Sequence, residues 1–181
     1  MACKFAVVAL CLFVVGNVDA APNDAWSVLS GGKEFFLVSR SYVKTPGTNE
    51  CAYMKEGSVD ADKHELTTKM GYRDGSTKQF VGPATYTITV NADASGTYNE
   101  VVVQGDQAPA GITYNLVYSD GNGCNILKGK GGMLDGKCEL WAPAEKVADA
   151  QGTSCSQQFQ NSCGAAVETP YKSGCTIPQT A

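Results

Sequence analysis

Six cysteines, Cys51, Cys124, Cys138, Cys155, Cys163 and Cys175, follow an apolar leader in a chain of 181 residues, and they restrict its folding more than any other feature. The leader has Lys4 near its start, an apolar run from Phe5 to Val15, and Val18-Asp19-Ala20 before Ala21. This order is that of a secretory signal peptide over residues 1–20, which removes Cys3 and Cys11 on cleavage after Ala20. Its apolar run is too short to span a bilayer, and no later stretch is long enough to do so. An even set of cysteines in an oxidising compartment predicts three disulfides, with many pairings open to spacing alone. Zinc ligation needs close cysteine pairs and histidines, whereas here the tightest spacing is eight residues and His64 is the one histidine.

The remainder, 21–181, is one domain's worth of chain without repeats or low-complexity linkers. Leader removal takes one residue of each charge, Lys4 and Asp19, so the net charge stays at −4. That balance argues against nucleic acid or an anionic membrane as partner. Asn23 is placed to cap a short helix over Asp24 to Leu29 that Gly31-Gly32 stops. Strand-like runs then begin near Lys33, Asn49, His64, Ser76, Ala84, Thr97, Ile112 and Cys124, with a short one from Lys137 to Trp141. Turn sequences such as Asp74-Gly75, Ala94-Ser95-Gly96 and Asp120-Gly121-Asn122-Gly123 separate them. If the runs from Ser76 and Ala84 form one strand bent at Gly82-Pro83, the count is eight. A final helix capped by Thr153 or Ser154 places Cys155, Phe159 and Cys163 on one face and ends at Gly164. The fold class expected is all-β: an eight-stranded antiparallel up-and-down barrel with a short N-terminal helix and a C-terminal helix packed outside. A β-sandwich is the alternative architecture.

The string Cys124-Asn125-Ile126, a twelve-residue gap ending in Cys138, Glu139-Leu140-Trp141, thirteen further residues and Cys155 resembles the tick salivary lipocalins, the histamine-binding family. Asp24-Ala25-Trp26 has its counterpart there too. The resemblance implies a lipocalin barrel whose bottom is closed by Asp24-Ala25-Trp26, with Trp26 as a plug. It implies disulfides Cys51–Cys175 and Cys124–Cys155, which leaves Cys138 with Cys163. It also implies sequestration of a small host mediator, histamine or serotonin, by a secreted protein that suppresses inflammatory and haemostatic responses. Amine-binding members carry Asp after the first cysteine, where this chain has Asn125. The exchange keeps the size and the carbonyl acceptor and removes the charge an ammonium would meet.

Successive strand side chains face opposite ways. If the C-terminal helix lies outside the barrel, Cys138 and Leu140 face it and Glu139 and Trp141 face the cavity. The same reasoning turns Asn125 and Leu127 inward. Further inward faces are expected from Ile112, Tyr114, Leu116 and Tyr118, from Tyr86, Ile88 and Val90, and from Phe36, Val38, Arg40 and Tyr42. The candidate ligand contacts are therefore Glu139, Trp141, Asn125, Tyr42, Tyr118, Tyr114 and Arg40. A carboxylate in a poorly hydrated cavity needs compensation, and an ammonium is one source, aided by a cation–π contact with Trp141 or a tyrosine.

The alternative ligand is an acidic lipid (leukotriene, thromboxane or fatty acid), which the same family also holds and for which Arg40 is the candidate basic contact. A third reading has the loops Gln104 to Gly111 or Gly129 to Gly136 bind a host protein. Catalysis is not expected, since His64 in a polar run supplies no nucleophile, base and orienter set. No metal and no cofactor are expected, haem included, for want of an inward histidine. The protein is expected to act as a monomer.

Overall fold

The computed structural model describes residues 23–44, 49–106 and 108–179; the signal peptide expected over 1–20 lies outside them. Eight antiparallel strands close into a barrel in sequence order. They are β1 (Glu34–Arg40), β2 (Glu50–Asp60), β3 (Glu65–Arg73), β4 (Phe80–Ala92), β5 (Tyr98–Gly105), β6 (Ala108–Ser119), β7 (Asn125–Gly129) and β8 (Cys138–Pro143). β1 pairs with β8 through Phe35↔Pro143 to Arg40↔Glu139, which closes the sheet and excludes the sandwich. β4 is the single strand formed by the runs from Ser76 and Ala84. Its stretch Thr85-Tyr86-Thr87-Ile88-Thr89-Val90 combines β-branched and aromatic residues suited to a half-buried pleat. Hairpin turns are fixed by aspartates: Asp93 Oδ1 accepts from the Ser95 and Thr97 amides at 2.8 and 3.1 Å, and Asp74 does the same for Ser76 and Thr77.

Helix α1 (Ala25–Leu29) crosses one end of the barrel, and α2 (Val147–Ala150) and α3 (Thr153–Cys163) lie outside it. The cap of α1 is Asp24, whose Oδ1 accepts from the Ser27 amide at 3.1 Å, in place of Asn23. Asn23 has a left-handed backbone and accepts the Ser119 amide instead, tying the entry segment to β6. α3 starts from Gly152 without a side-chain cap, so neither Thr153 nor Ser154 serves, and it ends at Gly164 with φ 78° as expected. Most of the expected loop Gln104 to Gly111 belongs to the sheet instead, since β5 and β6 pair as far as Gly105↔Ala108.

Two apolar layers result. Phe35, Met54, Leu66, Ile88, Val101 and Leu116 pack inside the barrel with Ala25 and Leu29 of α1. Phe36, Val38, Ile126, Leu140 and Ala142 pack outside, against Val147, Ala150 and Phe159. Two bulges reset strand parity. Between Leu37 and Ser39 the register of β1 shifts, so Phe36 and Val38 face the outer layer while Arg40 faces in. A second shift, between Leu116 and Tyr118, sends Tyr118 to the outer layer opposite Ile126. Strict alternation put Phe36, Val38 and Tyr118 inside; an inserted residue inverts every position beyond it.

The disulfides are Cys51–Cys175 and Cys124–Cys155, as the resemblance implied, and Cys138–Cys163, the pair those two left over. Together they fasten α3 and the segment after it to β2, to the start of β7 and to β8. Removing Cys51–Cys175 by paired alanines is expected to lower unfolding free energy by about 2–5 kcal/mol, read by urea denaturation. Because that bridge spans 124 residues against 25 for Cys138–Cys163, its loss is expected to cost about 1.4 kcal/mol more on loop-entropy grounds.

Candidate ligand-binding site

The barrel encloses a cavity of about 230 Å³. Ala25, Val28 and Leu29 form its floor; its walls are mostly apolar, with Phe35, Leu37, Met54, Met70, Ile88 and Ile112 among the residues that line it. Trp26 does not touch the cavity itself but packs against the inner apolar layer beneath this floor. Its ring packs edge-on against His64, which stacks on Tyr98 at 3.9 Å, so His64 is held between two aromatic rings at the closed end and is not free in solvent.

β8 delivers the polar pole. Glu139 and Trp141 face in and Cys138 and Leu140 face out, as alternation requires. Glu139 is 8% exposed, and its carboxylate accepts from the Tyr42 hydroxyl on one oxygen and from Trp141 Nε1 at 2.8 Å on the other. Tyr114 lines the same cavity from β6. Burial above all, and then the negative charge of Glu139, push both the Tyr42 and Tyr114 phenols far above their ordinary range, with Arg40 partly opposing this at Tyr42. These hydroxyls therefore stay protonated and available as donors.

Arg40 lies in the cavity wall, 2% exposed, but its charge is committed. Its Nε and Nη2 both contact Glu168 Oε2, Nη1 donates to Asn49 Oδ1 at 3.1 Å, and the guanidinium carbon sits 5.4 Å from the centre of the Tyr42 ring. Asn125 also lines the cavity, yet its polar atoms face the frame. Its Nδ2 donates to the carbonyls of Trp141 at 3.2 Å and Gly123 at 3.4 Å, and its Oδ1 accepts from Ser119 Oγ at 2.8 Å. A carboxylate there would turn a donor into a repulsive acceptor against two carbonyls. The Asn in place of Asp thus works as a cross-link between β7, β8 and the end of β6.

The structure brings together Glu139, Trp141, Tyr42, Tyr114, Arg40 and Asn125 around one cavity and leaves Tyr118 out. Sequence reasoning missed Asn49, Glu168 and the lining tyrosines Tyr53 and Tyr72. A signal for Glu168 existed: it lies between Cys163 and Cys175, whose partners sit on β8 and β2. A segment tethered at both must cross the end of β1, where Arg40 is.

This geometry accords with the sequence comparison, in which residues 18–177 match the tick histamine-binding proteins. The chain belongs to that family. Its barrel is a lipocalin, and the solved structures it resembles agree on the fold. Japanin from Rhipicephalus appendiculatus, solved bound to cholesterol, superposes with a TM-score of 0.63 at 15% identity over 81% of this chain and 97% of that one. Lobster apocrustacyanin A1 gives 0.54 at 10% identity over 83% and 85%, and the siderocalin Ex-FABP 0.53 at 9% over 81% and 98%. No curated protein matches by sequence. Within that family, this chain is one whose motif cysteine is followed by a structural asparagine.

Two outcomes are expected. Asn125→Asp lowers stability by about 1–3 kcal/mol in urea denaturation, the cost of leaving buried carbonyls unpaired. Tyr42 and Tyr114 stay un-ionised in the folded protein at about pH 11 and ionise on unfolding, read by ultraviolet difference absorbance. Since folding raises their pKa, the stability they contribute is complete below the unfolded value of about 10 and is progressively lost as pH rises above it.

Proposed function

We propose that the protein is a secreted scavenger that holds a small organic cation in its barrel, a biogenic amine such as histamine or serotonin, and so lowers the free concentration of a host inflammatory or haemostatic mediator. The observation that carries this reading is the Glu139 carboxylate, buried in an apolar cavity and, among the described residues, hydrogen-bonded by neutral donors alone. Tyr42 and Trp141 satisfy its lone pairs without cancelling its charge. Arg40 and Glu168 neutralise each other, which leaves one negative charge inside and Lys44 exposed at the rim. A bound ammonium restores neutrality, and Trp141 and the tyrosines surround it with aromatic faces.

Size supports the same choice. A cavity of about 150 Å³ accepts benzene, whereas pockets for drug-sized ligands start at about 300 Å³. At about 230 Å³ the barrel suits a molecule of one or two rings with a short arm. Japanin's cholesterol is a lipid held by this fold in that protein, but an acidic lipid here needs a basic partner, and the Arg40 charge is already matched by Glu168. The family and the fold are those of ligand carriers, so what counts is retention: a low dissociation rate at high protein concentration.

Titration calorimetry of the folded protein against histamine, serotonin and a leukotriene tests the proposal. One of the amines is expected to bind and the leukotriene is not. Glu139→Gln is expected to weaken the amine by about 10- to 100-fold, the worth of one charge-assisted contact. Amine affinity indifferent to that change, or a leukotriene bound more tightly than either amine, contradicts it.

A further inference from the structure

We infer that Glu168 is a positioning residue that keeps Glu139 available to a ligand by holding Arg40 away from it, an inference that rests on Glu139 being the ligand's anionic contact. Arg40 and Glu139 are direct register partners on neighbouring antiparallel strands, and both side chains line the cavity. Cβ atoms in that relation stand about 4.5–5.5 Å apart, the usual setting for an ion pair across a sheet. Glu139 nevertheless takes its hydrogen bonds from Tyr42 and Trp141, while Arg40 turns to Glu168 and Asn49.

The counter-ion arrives from outside the strand order. β1 pairs with β2 only from Glu34 to Phe36, so the two strands part toward the cavity mouth. The segment after α3 enters that gap: Arg40 N donates to Glu168 O, Val167 N to Arg40 O and Cys51 N to Pro170 O, each at 2.9 Å. Cys138–Cys163 and Cys51–Cys175 tether it on either side. Covalent and backbone links thus fix the Glu168 backbone beside Arg40, and its Oε2 also accepts from the Lys44 amide at 3.3 Å. With Glu168 neutral, the buried guanidinium has Glu139 as the facing anion, with Tyr42, Tyr114 and Trp141 the other groups around that carboxylate. Pairing with Arg40 would cancel the charge that attracts a cation.

Tryptamine, an aryl-ethylammonium of suitable size, is the probe. Glu168→Gln is expected to weaken its binding at least tenfold, and Arg40→Gln/Glu168→Gln to restore it to within about threefold of the parent, since the neutral pair frees Glu139 again. Unchanged binding in the single variant, or no recovery in the double, overturns the inference. A ligand-free readout separates this from failure of the amine reading. The Trp141 indole N–H resonance, followed by NMR in a Trp26→Phe background, is expected to move in Glu168→Gln and to return in the double variant. If tryptamine fails to bind the parent but the resonance behaves this way, the amine reading falls and the role of Glu168 stands; a resonance that does not move overturns that role. Should Glu168→Gln not fold, the double variant still decides, because parent-like tryptamine binding and indole shift are expected of it and their loss counts against the inference.

Discussion

A one-residue slip in β8 would turn Glu139 and Trp141 to the outer layer and put Cys138 and Leu140 in the cavity, since strand side chains alternate. Two disulfides exclude that slip. Cys138–Cys163 holds position 138 toward α3, and Cys124–Cys155 holds the entrance of β7 toward the same helix. Between them the β7–β8 ladder runs from Asn125↔Trp141 to Lys128↔Cys138 without a bulge. The apolar contacts of Ile126, Leu140 and Phe159 fill the outer layer that these bridges define. The direction in which Glu139 points is therefore set by covalent links outside the barrel, and the chemistry of the cavity follows from it.

Within the cavity, charge is arranged in two separate accounts of the same wall. One is closed: Arg40 and Glu168, with Asn49 as a neutral partner. The other is open: Glu139, solvated by a phenol and an indole that lend hydrogen bonds and no charge. Neutral donors lower the cost of burying a carboxylate and leave its field intact. The same phenols resist ionisation because burial and the neighbouring carboxylate both oppose a second negative charge.

Much of this was legible from the residues. The turn aspartates, the alternation in Thr85 to Val90 and the parity of Cys138-Glu139-Leu140-Trp141 depend on local chemistry, and they gave the barrel strands and the inward pole. Tyr118, Phe36 and Val38 were misplaced because a bulge is a tertiary accommodation with no composition signal in these strands. Asn125 was expected to weaken an amine contact; its actual partners are the backbone carbonyls of Gly123 and Trp141, which become neighbours only once β7 and β8 pair. Glu168 escaped notice because it is 128 residues from Arg40 in sequence, and its placement depends on two disulfides at once.

The barrel is expected to select for positive charge through Glu139. Calorimetric comparison of tryptamine with tryptophol, the same ring and arm ending in a neutral hydroxyl, isolates that charge at neutral pH. Tryptamine is expected to bind at least tenfold more tightly, with the difference vanishing in Glu139→Gln. Equal affinities for the two in the parent protein would contradict it.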